Sequence, residues 1–93
     1  MGEETLSKEE QEAMDWIIAR ESSGNVNAAN PKSTAFGIGQ LLKENRERFA
    51  KVLGVAADTT DAEAQRKMMK MYMRTRYGSA VKAKAYWEKN KHY

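Results

Sequence analysis

Cysteine is absent from the 93 residues, so the chain has no disulfide framework, no thiolate metal site and no thiol nucleophile. Histidine is nearly absent too. His92 stands alone, one residue from the end of the sequence, which argues against a Ser-His-Asp triad and a multi-histidine zinc site. Catalysis must then use carboxylates, hydroxyls, amides or lysines, and no metal or cofactor is expected. No apolar run approaches the roughly 20 residues of a membrane span, so no membrane insertion is expected. The opening Met1-Gly2-Glu3-Glu4 is acidic where a secretory signal would be basic, and Leu6 stands where a myristoylation pattern needs Ser or Thr. The expectation is a chain without its own export address, part of a larger protein or delivered by another vehicle.

At 10.6 kDa and 41% apolar residues, the chain has material for one core, and residues 1–93 read as one domain with residues 1–6 as a flexible lead-in. The net charge of +3 conceals a polarity. Residues 1–21 carry seven acids and two bases, 22–65 are balanced, and 66–93 hold nine bases against Glu88 alone. That basic third calls for a polyanion or for the acidic first helix. Nucleic acid, an anionic cell wall and an anionic membrane surface would each satisfy it, and charge alone does not choose among them.

One proline, glycines at punctuation points and no sustained alternation indicate helices joined by turns. Ser7-Lys8-Glu9-Glu10 is a capping box, with Glu10 expected to reach back to the Ser7 cap, opening a helix to about Ser22. Residues 23–36 read as a loop rich in Ser, Asn, Gly and Ala, with Asn30-Pro31 favouring an extended turn. Ile38 to Leu53 reads as a helix with an irregular first turn, a buried stripe of Leu42, Phe49, Val52 and Leu53, and Gly54 as its stop. Thr60-Asp61-Ala62-Glu63 is a second capping box. The helix it opens, to about Tyr77, carries Ala64, Met68, Met71, Tyr72 and Thr75 on one face and stops at Gly78. Ser79 caps a last helix bearing Ala80, Ala83, Tyr86 and Trp87. The Met68, Met69, Met71 and Met73 group reads as adaptable core filler.

One residue does not belong on its face. Met14, Ile17, Ile18 and Glu21 fall at i, i+3, i+4 and i+7, so the buried stripe of the first helix ends in a carboxylate. Burial and the negative end of the helix dipole both disfavour the ionised form and should raise its pKa, as a general acid working near neutrality requires. The alternative is a solvated Glu at a frayed helix end or one paired with Arg20. The following loop offers small residues and a set of donors and acceptors, among them Ser22, Ser23, Asn25, Asn27, Asn30, Ser33, Thr34 and Gln40.

Glu21-Ser22-Ser23-Gly24-Asn25, the stretch from Asn30-Pro31 through Ala35-Phe36-Gly37-Ile38-Gly39-Gln40, and the ending from Tyr72 through Ala85-Tyr86-Trp87 to Tyr93 together resemble the lytic transglycosylase family. The likeness is to the short version found in bacteriophage tail tape-measure proteins and some secreted cell-wall factors, and spans about residues 10–93. It implies a lysozyme-like, mainly α fold, which the helices and lack of strands read above make an all-α, small domain of about four helices without a substantial β-lobe. The implied activity is cleavage of the β-1,4 bond between N-acetylmuramic acid and N-acetylglucosamine in peptidoglycan, at a cell wall or from a virion tail. By position, Glu21 matches the catalytic acid, Ser33 a serine facing the reacting sugar and Gln40 the amide lining the cleft. Tyr86 matches the tyrosine of the family's Ala-Tyr-Asn-Ala-Gly motif, although Trp87-Glu88 replaces its Asn-Ala. Tyr72 or Tyr77 is the other source of a hydroxyl near Glu21, and Ser23 joins the substrate-binding set. Lys91-His92 stands where Gly-Trp would be expected.

Most glycosidases place two carboxyl groups about 5–5.5 or 6.5–9.5 Å apart across the bond. Between Glu21 and Glu44 there is no Asp or Glu, while Asp58 and Asp61 read as turn and cap residues. A single acid suits a substrate-assisted route to a 1,6-anhydro product, in agreement with the resemblance. The competing expectations are a muramidase, a non-catalytic glycan-binding module on the same fold, and a basic helical nucleic-acid binder. The last lacks any groove-reading motif.

Overall fold

Ser7 Oγ accepts the amide of Glu10 at 3.1 Å and opens α1, Lys8–Glu21, in the computed structural model, which describes residues 7–90. The lead-in expected at residues 1–6 and the terminal Lys91-His92-Tyr93 lie outside the described residues. The second half of the capping box departs from expectation, because Glu10 reaches another helix. Its Oε1 accepts from the amide of Ala80 at 2.7 Å and its Oε2 from that of Val81 at 3.3 Å, at the start of α4, Ala80–Asn90. Four amides at a helix start lack intrahelical partners and the dipole there favours an anion, so a distant carboxylate is a strong fastening. Ser79 completes this N-terminus as read from the sequence, accepting from Lys82 at 3.1 Å.

The helix expected over 38–53 starts only at Lys43, giving α2, Lys43–Leu53, closed by Gly54 at φ +74°. Residues 36–41 are instead drawn into the preceding loop. Phe36 makes isolated antiparallel bridges to Ala29 and Leu41, and Gly37 (φ +86°) and Gln40 (φ +51°) take left-handed backbone conformations. The third helix, α3, Ala62–Arg76, is capped by Asp61 and not Thr60: Asp61 Oδ2 accepts from Ala64 at 2.8 Å. Gly78, at φ +95°, ends it by donating its amide to Met73 O at 3.0 Å, the expected stop.

These four helices form a small all-α domain, and among the described residues no β-pairing extends beyond the isolated bridges. Met14, Ile17, Met68, Met69 and Met73 fill its centre. Helix α3 packs against both α2 and α4, so its apolar face is wider than one stripe. Gln65, Met69 and Met73 are buried on it beside Ala64, Met68 and Tyr72, while Thr75 is exposed. On α2 the inner face is Arg46, Phe49, Ala50 and Leu53. This phase turns Val52 and Leu42 to solvent, at 69% and 45% exposure, and Ile38 and Leu41 of the loop fill the core in their place. Helix α1 packs on α4 in the same chain direction, Glu10 meeting Ala80 at one end and Glu21 meeting Trp87 towards the other.

The loop between α1 and α2 is held by two polar side chains from the helices. Gln65, only 5% exposed, accepts from Ile38 N at 2.9 Å and donates to Val26 O at 2.9 Å and Thr59 O at 2.7 Å. A Cβ at Gly37 would stand 2.9 Å from the Gln65 amide carbon, so glycine is required there for packing as well as for its backbone angle. The Arg46 guanidinium donates to Thr34 O at 2.7 Å, Leu41 O at 3.1 Å and Ala57 O at 3.2 Å.

Two outcomes follow. Gln65→Leu leaves one buried amide and two carbonyls without partners and should cost about 3 kcal/mol, with loop amides gaining exchange rate before helical ones in hydrogen-exchange measurements. Glu10→Ala removes the carboxylate from the first amides of α4 while leaving the Ser79 cap, and should cost about 1 kcal/mol in urea denaturation, whereas Glu9→Ala should change little.

Candidate active site

The stripe that buries Met14, Ile17 and Ile18 ends at Glu21, the last residue of α1, which is half-buried. Its Oε2 accepts the indole N–H of Trp87 at 2.7 Å, a short bond to a donor-only group. The indole is itself fixed. Trp87 meets Trp16 edge to face, with ring centroids 5.2 Å apart and planes at 89°. The Arg20 guanidinium lies 3.6 Å from the Trp16 ring centroid and donates to Trp16 O at 3.2 Å, and Lys84 Nζ lies 5.1 Å from the same centroid. Arg20 is therefore stacked on Trp16, where the sequence alternative had it pairing with Glu21. Trp87, read from the sequence as a departure from the family motif, is the partner of the acid. The signal that could have found it is chemical: a partly buried indole N–H seeks an acceptor.

A second group gathers where α3 ends. Tyr72 and Tyr77 meet edge to face with ring centroids 6.2 Å apart, Tyr77 and Tyr86 lie tilted at 43° with centroids 5.1 Å apart, and Arg76 Nε donates to Tyr77 Oη at 3.0 Å. Tyr86 precedes Trp87 on α4, so this helix joins the tyrosine group to the Glu21 group. Burial and the neighbouring Tyr77 push the Tyr72 phenol up to about 12, which keeps it a neutral hydroxyl. The hydrogen bond to Tyr77 and the nearby Tyr72 raise Arg76 above its ordinary value.

The loop residues are held by local bonds. Ser22 Oγ donates to Ile38 O at 2.8 Å and accepts from Gly24 N at 3.1 Å, tying the end of α1 to the loop. Ser23, at φ +56°, is exposed beside an open depression on α1 lined by Asp15, Ile18, Ala19, Ser23 and Gly24. Ser33 is exposed and its Oγ accepts from Ala35 N at 3.1 Å. Gln40 donates both amide hydrogens inside the loop, to Gly37 O at 2.9 Å and Ala28 O at 3.0 Å. The structure thus joins Glu21 with Trp87, and Tyr86 with Tyr72 through Tyr77, while Ser23, Ser33 and Gln40 belong to the loop framework.

The acidic first helix and the basic third of the chain meet at Asp15 and Arg66, where Arg66 Nη1 lies 3.0 Å from Asp15 Oδ1 in an exposed pair. Among the described residues no group of three or more His, Asp or Glu side chains could hold a metal ion, and no helix is long and apolar enough to cross a membrane.

Tyr72 provides a test of the tyrosine group. Ultraviolet phenolate titration should show one tyrosine ionising near pH 12, absent in Tyr72→Phe. Because its folded pKa lies above the ordinary value, its contribution to stability is fully present below about pH 10 and is lost as pH rises towards 12.

No protein-family model, curated protein or solved structure matches the chain.

Proposed function

We propose that the protein is a peptidoglycan lytic transglycosylase in which Glu21 is the single acid and base. The observation that carries this reading is the Glu21–Trp87 pair: a half-buried carboxylate closing a helix, oriented by a fixed N–H donor. The segment that follows it, from Ser22 to Gln40, holds no second carboxylate and carries the small and polar residues the family resemblance calls for.

Glu21 protonates the glycosidic oxygen as the bond to the anomeric carbon breaks, and the acetamido group of the substrate stabilises that carbon. The carboxylate then takes the proton of the C6 hydroxyl as its oxygen bonds the same carbon, leaving a 1,6-anhydro end and restoring the acid. Tyr72 and Tyr86 supply hydroxyls to the glycan, and Ser23, Ser33 and Gln40 line it along the loop. The nine bases of residues 66–93 suit a wall polymer rich in phosphate and carboxylate groups. The site of action is then a cell wall, reached as part of a secreted protein or from a virion tail.

The second reading is a glycan-binding module without catalysis, which the same hydrogen bond favours if Glu21 serves only to dock α4. Digestion of purified peptidoglycan by the wild type and by Glu21→Gln, read by mass spectrometry of the released muropeptides, separates the two. Anhydro-muramyl ends from the wild type alone are expected, with Glu21→Gln at least about 10²-fold slower. Reducing ends would make the protein a muramidase, and binding without release by either protein would make it the module.

A further inference from the structure

We infer that Trp87 is the positioning residue of Glu21, its indole N–H holding the carboxylate through Oε2 and assigning the reacting proton to Oε1. The inference rests on the proposed function. It concerns a residue at which this chain departs from the family pattern, where Trp87 replaces the asparagine.

The argument begins with what an indole can do. Its N–H is a donor only, so the bond of 2.7 Å fixes Oε2 as the accepting oxygen. In the neutral acid the carbonyl oxygen accepts better than the hydroxyl oxygen, so the proton is directed to Oε1. The pair survives both halves of the reaction, because Oε2 accepts whether Glu21 is protonated or ionised. The proton leaves Oε1 for the departing glycosidic oxygen and returns to Oε1 from the C6 hydroxyl, and nothing is oxidised or reduced. An acid that must give and regain a proton at one place needs such a pivot, since a carboxyl that turns between the two steps presents the wrong oxygen.

Trp87 is suited to be that pivot because its own ring is held by a second aromatic. It stands perpendicular to Trp16, and Trp16 is covered by Arg20 at 3.6 Å and approached by Lys84 at 5.1 Å. Glu10 holds the start of α4 at the far end of the same helix pair. The aromatic and cationic side chains near Glu21 thus form a mount for one N–H. Asparagine in that position would be too short to stack on Trp16 and would offer an acceptor along with its donor.

Two measurements test this. Steady-state kinetics on a soluble GlcNAc–MurNAc oligomer compares the wild type with Trp87→Phe, which keeps an aromatic ring against Trp16 and removes the donor. The expected result is a kcat lower by about 10²-fold with KM unchanged, because the lost interaction orients the acid and does not bind glycan. In the ¹H–¹⁵N spectrum, the Trp87 indole resonance of Glu21→Gln should move upfield from its wild-type position, since a neutral amide oxygen accepts more weakly than a carboxylate, while that of Trp16 stays. The spectrum needs no active or folded Trp87 variant. A folded Trp87→Phe with wild-type kcat, or a Trp87 resonance unmoved by Glu21→Gln, overturns the inference with the proposed function intact. A wild type that releases no fragments overturns the proposed function, and the positioning role with it.

Discussion

The backbone of a long loop must find partners for its amides and carbonyls, and in this protein the buried side chain of Gln65 supplies the central ones. A segment such as 22–42, without helix or strand of its own, would be an entropic burden if left loose. Gln65 projects from α3 and meets three separate stretches of chain, at Val26, Ile38 and Thr59, using its one acceptor and both hydrogens of its amide. Arg46 does the same from α2, on Thr34, Leu41 and Ala57. Among the described residues no buried side-chain polar atom lacks a partner, so the cost of placing these groups inside is met. Ser22 then links the braced loop to the end of α1, one residue from Glu21.

Glu21 depends also on α4, through Trp87. Helices α1 and α4 run together and are fastened at both ends by carboxylates of α1, Glu10 on the first amides of α4 and Glu21 on the indole of Trp87. Between them Trp16, Trp87, Arg20 and Lys84 interlock. The acidic start and the basic end of the chain thus meet through directed bonds more than through general attraction. Exposed ion pairs such as Asp15–Arg66 contribute little, whereas a carboxylate on free helix amides is oriented and charge-assisted. Among the bases of α3 and α4, Lys67, Arg74, Arg76, Lys82 and Lys89 are exposed.

Local signals were legible because they act over three or four residues. Ser7 and Ser79 cap helices as their sequences indicate, Gly54 and Gly78 stop them, and Met14, Ile17 and Ile18 share the inner face that leads to Glu21. The expected helix over 38–41 failed for a reason that no local pattern contains: Ile38 N is bonded to Gln65, Gly37 N to Ala28 O, and Phe36 bridges Leu41. The phase of α2 followed. Once Arg46 faces inward to hold the loop, Val52 must face outward.

The sequence by itself therefore determined the class of fold, the order of its four helices and the acid that ends the buried stripe of α1, since each rests on residues close together in the chain. Tertiary structure decided which partner each polar side chain takes. Glu10 is a good acid for its own helix start, Gln65 an ordinary helix former and Trp87 an ordinary core aromatic, until folding brings Ala80, Ile38 and Glu21 within hydrogen-bond distance of them. Such bonds join residues 27 to 70 positions apart, and their partners are fixed only when the helices pack.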